Sequence, residues 1–211
     1  MSDRPAALRE AWRNRITIED YERHMAAVGQ AQANASLLEE LFLGYAPRLG
    51  ARILFAGAGT GQCFDYLPAN LLGRYRVTFA DINAGYLARL AERLAGSDIA
   101  TVVDDIEATR LAGPFELAIA VLVLEHVDWR RAVDSLASQA GRVFVVIQQN
   151  PAEPPPNRLD GTMAILHEAS PALVDPLALT AAFEAHGFGP TRTSVRAVPD
   201  GKRMLGFDFC R

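Results

Sequence analysis

Between Arg52 and Ile147 the sequence alternates five short apolar runs with stretches of helical periodicity. The runs cover residues 53–56, 76–80, 99–103, 115–122 and 142–147. Each reads as apolar on both faces, as strands of a parallel sheet do when helices cover both sides. Between them, Leu87, Leu90 and Leu94 mark one amphipathic helix and residues 129–137 another. Strands alternating with helices imply right-handed crossovers and a doubly wound α/β sheet. The end of the chain differs: a helix over 177–186 closes at Gly187, and strands over 191–198 and 203–210 follow. Pro199-Asp200-Gly201-Lys202 between those strands has the chemistry of a hairpin turn. The expected architecture is a mostly parallel sheet finished by an antiparallel hairpin.

The first fifty residues read as a helical cap. Thr17 offers an N-cap with Glu19 and Asp20 in the first turn, and Leu37, Leu38, Leu41, Phe42 and Tyr45 recur at helical spacing until Pro47. The sheet domain is expected over 51–211, with residues 149–176, rich in proline at Pro151 and Pro154 to Pro156, as an insertion covering a substrate. The composition, half apolar and 22% charged, is that of a globular chain. A net charge of -4 argues against a nucleic-acid partner, and no apolar run is long enough to span a bilayer. Cys63 and Cys210 stand far apart and in no metal-ligand spacing, so reduced thiols, no metal and a cytoplasmic location are expected.

Gly57-Ala58-Gly59-Thr60-Gly61 follows the first run and is expected to open a helix. Glycines there let the backbone turn sharply and approach a ligand. Asp81, at the end of the second run, can accept both hydroxyls of a ribose, or cap the helix that starts near Ala84. The dinucleotide fingerprint needs a sixth-position glycine where this chain has Gln62, so the turn is GxGxG. With that turn, residues 51–148 resemble the class I S-adenosylmethionine-dependent methyltransferases. Leu54 to Gly61 matches the family's first motif, Phe79-Ala80-Asp81-Ile82 its second and Val103-Asp104-Asp105-Ile106 its third. Residues 115–120 and 122–127 resemble its fourth strand and exit loop. The resemblance implies a Rossmann-like sheet of seven strands and S-adenosylmethionine as cofactor. It assigns cofactor binding to Gly57, Ala58, Gly59, Gly61, Asp81, Ile82, Asp105 (or Asp104), Ile106 and Leu122. One position departs: Phe55 stands where the family often carries an acid that positions the methionine part, so that end must be held otherwise, with Tyr21 a candidate to close over it.

His126, just after the fourth run, is a candidate general base or a histidine bonded to nearby backbone. Glu125 is expected in solvent or on the rim of the site. His167 is a second candidate base, and His186 sits at a helix end, where a cation is favoured. Tyr21 and His24, at i and i+3, read as a lid or as core packing. Asn-Pro-Pro-Tyr is absent after the fourth run, no cysteine lies there, and Lys202 is the only lysine. Those gaps speak against the family's adenine-N6 and glutamine, cytosine-C5 and ribose-2′-O chemistries and favour a small-molecule methyl acceptor, with a protein side chain as the alternative. The competing functions are a non-catalytic methyltransferase-like scaffold and a nicotinamide-dependent oxidoreductase.

Overall fold

Arg52–Ala56 (β1) and Leu117–Val121 (β4) pair in parallel at the middle of the sheet, where its strand order reverses direction. Arg76–Asp81 (β2) and Ile99–Val103 (β3) extend it one way. Arg142–Gln149 (β5), Arg203–Cys210 (β7) and Gly189–Ala197 (β6) extend it the other, giving the order β3-β2-β1-β4-β5-β7-β6. β7 runs antiparallel to both of its neighbours, and β6 and β7 are the expected hairpin. The computed structural model describes residues 4–152, 159–169 and 171–211.

Helices are Arg4–Glu10 (α1), Ile18–Val28 (α2), Gln30–Gly44 (α3), Ala84–Arg93 (α4), Trp129–Gln139 (α5), Ile165–Ala169 (α6) and Pro176–Ala185 (α7). One face of the sheet is sealed by Leu136 of α5 and by Leu179 and Phe183 of α7. The other packs on Leu37, Leu38 and Leu41 of α3 and on Leu87 and Leu90 of α4. α3 is therefore one of the helices that cover the sheet. A third cluster joins Leu8, Ala11 and Ile16 of the N-terminal segment to Tyr86, Met163 and Leu166. The N-terminal segment and the stretch after β5 thus bury each other above the strand ends. Arg158, Asn157 and Pro154 to Pro156 of that stretch lie outside the described residues.

Several sequence expectations need correction. The glycine turn opens only a short 3-10 helix, Gln62–Tyr66. Pro68 drives Leu67 into extended backbone (φ -104°, ψ 153°), which stops any longer helix. β4 ends at Val121 and not Leu122, because Leu122 adopts a left-handed φ of 54° and leaves the strand. β3 is not buried on both faces: as the edge strand it leaves Ala100, Thr101 and Val103 exposed. Asp81 is not the cap of α4; Asn83 is, accepting from Gly85 N at 2.9 Å and Tyr86 N at 3.2 Å. Among the described residues no helix is long and apolar enough to cross a membrane.

Candidate active site

A cleft of about 270 Å³ opens at the carboxyl ends of β1, β2 and β4, beside the reversal of strand order, the usual ligand position in such sheets. The glycine turn forms its floor. Gly57 N and Ala58 N both donate to Ala80 O, at 2.8 and 3.0 Å, and tie the turn to the end of β2. Gly57 has a φ of 69°, and a Cβ there would fall 2.0 Å from Val123 Cγ2; no other residue fits that approach.

Asp81 is buried at one side of the turn. Its Oδ2 accepts from Gly59 N at 2.8 Å and its Oδ1 from Asn83 N at 2.9 Å. Burial nonetheless raises its pKa above the ordinary carboxylate value, outweighing both donors. A carboxylate has about four acceptor positions, so lone pairs remain for a diol. Ile82, Asp104, Asp105, Ile106 and Leu122 line the same cleft with Gly57, Ala58, Gly59 and Gly61. All the residues that the sequence assigned to a cofactor therefore come together. Asp105 caps the short 3-10 turn Ile106–Ala108 and accepts from Glu107 N at 3.0 Å. Asp104 accepts from Arg110 N at 2.9 Å.

The N-terminal segment roofs this end. Arg9 reaches from α1 to Asp105 at 3.1 Å and to buried Glu107 at 2.5 Å. After α1 the backbone widens into a π-turn over Ala11–Arg15, closed by Ile16 N donating to Ala11 O. That turn sets Trp12 against Tyr21 (ring centroids 5.7 Å), Tyr86 (6.5 Å) and His126 (4.7 Å). Tyr21 stacks on Tyr86, and its hydroxyl lies 2.9 Å from where a Cβ on Gly59 would stand. Asp20 accepts from Thr162 N and Oγ1, both at 2.7 Å, and so pins α2 to the stretch after β5. Trp12 and Arg9 carry no readable signal in the sequence, because only the tertiary fold brings them over strand ends remote in the chain.

The other end of the cleft is assembled from distant segments. Glu125 is buried, not solvated as expected. Its Oε1 accepts from Gln148 N at 2.6 Å and its carbonyl from Ala172 N at 2.9 Å. Its Oε2 has no hydrogen-bond partner among the described residues, and burial pushes its pKa up to about 7. Gln30 Nε2 donates to Gln148 Oε1 at 3.2 Å, and Gln148 Nε2 to Asn150 Oδ1 at 2.6 Å. Asn34, one turn after Gln30, is buried with its Oδ1 unpartnered among the described residues. Gln30 and Asn34 share a helical face with Leu37, Leu38 and Leu41. Two amides on an apolar stripe were the signal available in the sequence. Lys202 also lines the cleft, paired with Asp200 at 2.9 Å.

His126 lies between the two ends. Burial holds its imidazole down to about 4, so it is neutral near pH 7, and its Nδ1 is unpartnered among the described residues. His186 is away from the cleft and bonds Asp134 at 2.8 Å. Phe55 is packed in an aromatic cluster, stacked on Phe79 (5.0 Å) and edge-on to Phe64 (5.3 Å). No group of three or more His, Cys, Asp or Glu among the described residues could hold a metal ion.

Residues 53–143 match the family described as "Methyltransferase domain". No curated protein matches the chain. Among solved structures it is similar to magnesium protoporphyrin IX methyltransferase from Synechocystis PCC 6803 with bound SAH. The TM-score is 0.66 at 15% identity, over 85% of this chain and 83% of that one. It is also similar to the N-methyltransferase NodS from Bradyrhizobium japonicum WM9 in complex with SAH, with a TM-score of 0.64 at 16% identity over 85% and 86% of the two chains. A third is 1,6-didemethyltoxoflavin-N1-methyltransferase from Burkholderia thailandensis, bound to 1,6-didemethyltoxoflavin and SAH, with a TM-score of 0.60 at 20% identity over 86% and 78%. Residues 53–143 thus match a methyltransferase-domain family, and the chain shares the class I methyltransferase fold of these structures.

Proposed function

We propose that this domain transfers the methyl group of S-adenosylmethionine to a small-molecule acceptor. The observation that carries the reading is the convergence of the glycine turn, Asp81 and Asp105 on one cleft, with Gly59 N bonded to Asp81 at 2.8 Å. Asp81 would take the ribose hydroxyls, and Ile82, Ile106 and Leu122 would flank the adenine. Asp105, steered by Arg9, would meet the adenine amino group. Among the described residues, the acids Asp81, Asp104, Asp105 and Glu125 outnumber the lysine and arginine side chains of the cleft wall, Arg9 and Lys202, which suits a cationic cofactor.

When bound, the cofactor supplies a methyl carbon already made electrophilic by its sulfonium. The protein has to place the acceptor in line and exclude water. Trp12, Tyr21 and Tyr86 exclude water from above. Neutral His126 provides a hydrogen-bonding position near the transfer point and is too weakly basic to be the principal proton acceptor. Phe55 keeps the floor packed, and Tyr21 closes over the methionine end. The free thiols of Cys63 and Cys210 suit a reducing compartment, and the cytoplasm is the location we assign.

Calorimetric titration with S-adenosylmethionine, S-adenosylhomocysteine and NADH tests the reading. Binding of the two sulfur compounds without NADH is expected. NADH binding alone, or no binding by any of the three, would overturn it.

A further inference from the structure

Six buried polar atoms of the cleft wall have no hydrogen-bond partner among the described residues: Arg9 Nε, which is ion-paired to Asp105, Trp12 Nε1, Asn34 Oδ1, Gln62 Oε1, Glu125 Oε2 and His126 Nδ1. Two of these atoms belong to Asn34 and Glu125, which line the same cleft and are 3% and 4% exposed. Both unpartnered atoms are buried oxygens. Gln148 connects them: its backbone N–H holds Glu125 Oε1, and its side chain is bonded to Gln30, one turn before Asn34 on the same face of α3. The surroundings are apolar, with Met25, Leu38 and Leu173 on the wall. A buried oxygen without a partner is costly, so the natural occupant brings hydrogen-bond donors. Lys202 does not change the demand, because Asp200 already pairs with it.

We propose that Glu125 and Asn34 form the acceptor subsite of this methyltransferase and that the methyl acceptor is the nitrogen of a small amine, held through its N–H groups. An alcohol or thiol offers one donor and loses it on methylation. An amine offers donors to both oxygens and keeps one when the other hydrogen leaves. The nitrogen lone pair forms the new N–C bond as the methyl C–S bond breaks, with its electron pair going to sulfur. The resulting ammonium then gives a proton to the Glu125 carboxylate, which returns it to water. Glu125, titrating near neutrality, is matched to that task.

The inference rests on the methyl-transfer reading, and one experiment separates the two. Wild-type protein, Glu125→Gln and Asn34→Leu are titrated with S-adenosylhomocysteine, which also reports that the variants are folded. All three are then incubated with methyl-labelled S-adenosylmethionine and a panel of small aliphatic and aromatic amines, each matched to the alcohol, thiol and carboxylate of the same skeleton. The expected result is labelled product on nitrogen alone, with turnover lowered roughly 100-fold or more in Glu125→Gln and a raised KM in Asn34→Leu. Label on oxygen, sulfur or carbon, no amine labelled by a wild-type protein that binds the homocysteine product, or amines turned over equally well by both variants overturns the amine subsite and leaves the methyltransferase reading standing. Failure of the wild type to bind S-adenosylhomocysteine overturns both.

Discussion

The two ends of the cleft are built on opposite terms. At the adenine and ribose end each charged group is already answered by the protein: Asp81 by two backbone N–H groups, Asp105 by Arg9 and by Glu107 N, and Asp104 by Arg110 N. At the acceptor end Glu125 and Asn34 are buried with oxygens that nothing described answers. The first end is stable and pre-shaped before any ligand arrives. The second carries desolvation cost that only a ligand relieves. On the proposed reading, the first region serves a fixed cofactor and the second an acceptor.

Phe55 offers the most disruptive way to break this contrast. It sits on the completed side, stacked on Phe79 and edge-on to Phe64, although the family often has an acid there. Phe55→Asp should lower stability by about 3–5 kcal/mol, because it removes a buried ring and adds a carboxylate with no partner. Urea unfolding checks this. A stable variant with tighter S-adenosylmethionine binding would show that the position still has room for the family's acid.

The acceptor end should reveal itself through pH. Glu125 is raised from 4.5 to about 7 in the folded state, so its contribution to stability is full below pH 4.5 and is lost as pH rises through 7. His126 is lowered from 6.5 to about 4, so its contribution is full above pH 6.5 and is lost as pH falls through 4. Each amounts to roughly 3 kcal/mol, and between pH 4.5 and 6.5 the two slopes oppose each other. In that window the wild-type profile should therefore rise less steeply with pH than that of Glu125→Gln. Glu125→Gln should show stability rising with pH by roughly 3 kcal/mol between pH 4 and 6.5. Urea midpoints across pH 4–8 measure it, and superimposable profiles would mean that Glu125 is ionised in the folded protein.

Asp81 tests the other end by affinity. Asp81→Asn retains one oxygen for a backbone N–H but loses the charge that a ribose diol would use. S-adenosylhomocysteine binding should weaken by about 1.5–3 kcal/mol, the usual range for hydrogen bonds to a charged group. An unchanged Kd in calorimetry would remove Asp81 from the cofactor site.

The contrast also explains what could be read from the sequence. The strand–helix alternation, the terminal hairpin and the cofactor residues are local signals. Gly57 to Gly61, Asp81 and Asp105 each lie at or just past the end of their own strand, so register along the chain places them in space. Glu125 was misjudged because its burial comes from β5 and the segment at Ala172, which approach only in the folded molecule. Trp12 depends on a widened helical turn that no spacing announces, and Arg9 on the placement of α1 over strand ends remote in the chain. Leu122 looked like strand until its left-handed φ of 54° showed where β4 stops and the site begins, a strain common at functional positions.

The smallest effect divides two asparagines by sign. Asn83 is fully used: its Oδ1 caps α4 through Gly85 N and Tyr86 N, and its Nδ2 donates to Trp12 O at 2.9 Å. Asn83→Ala should lower stability by about 1 kcal/mol, the typical loss of a helix cap. Among the described residues Asn34 spends no bond through its buried Oδ1, so Asn34→Leu should leave the ligand-free protein as stable or raise its stability by up to about 1 kcal/mol, through relief of an unpaired polar group and added apolar contact on the Leu37–Leu38 face. The two changes are read side by side as urea midpoints without ligand. A loss at Asn34 as large as that at Asn83 would mean that Asn34 supports the fold, and the acceptor end would then be as complete as the cofactor end.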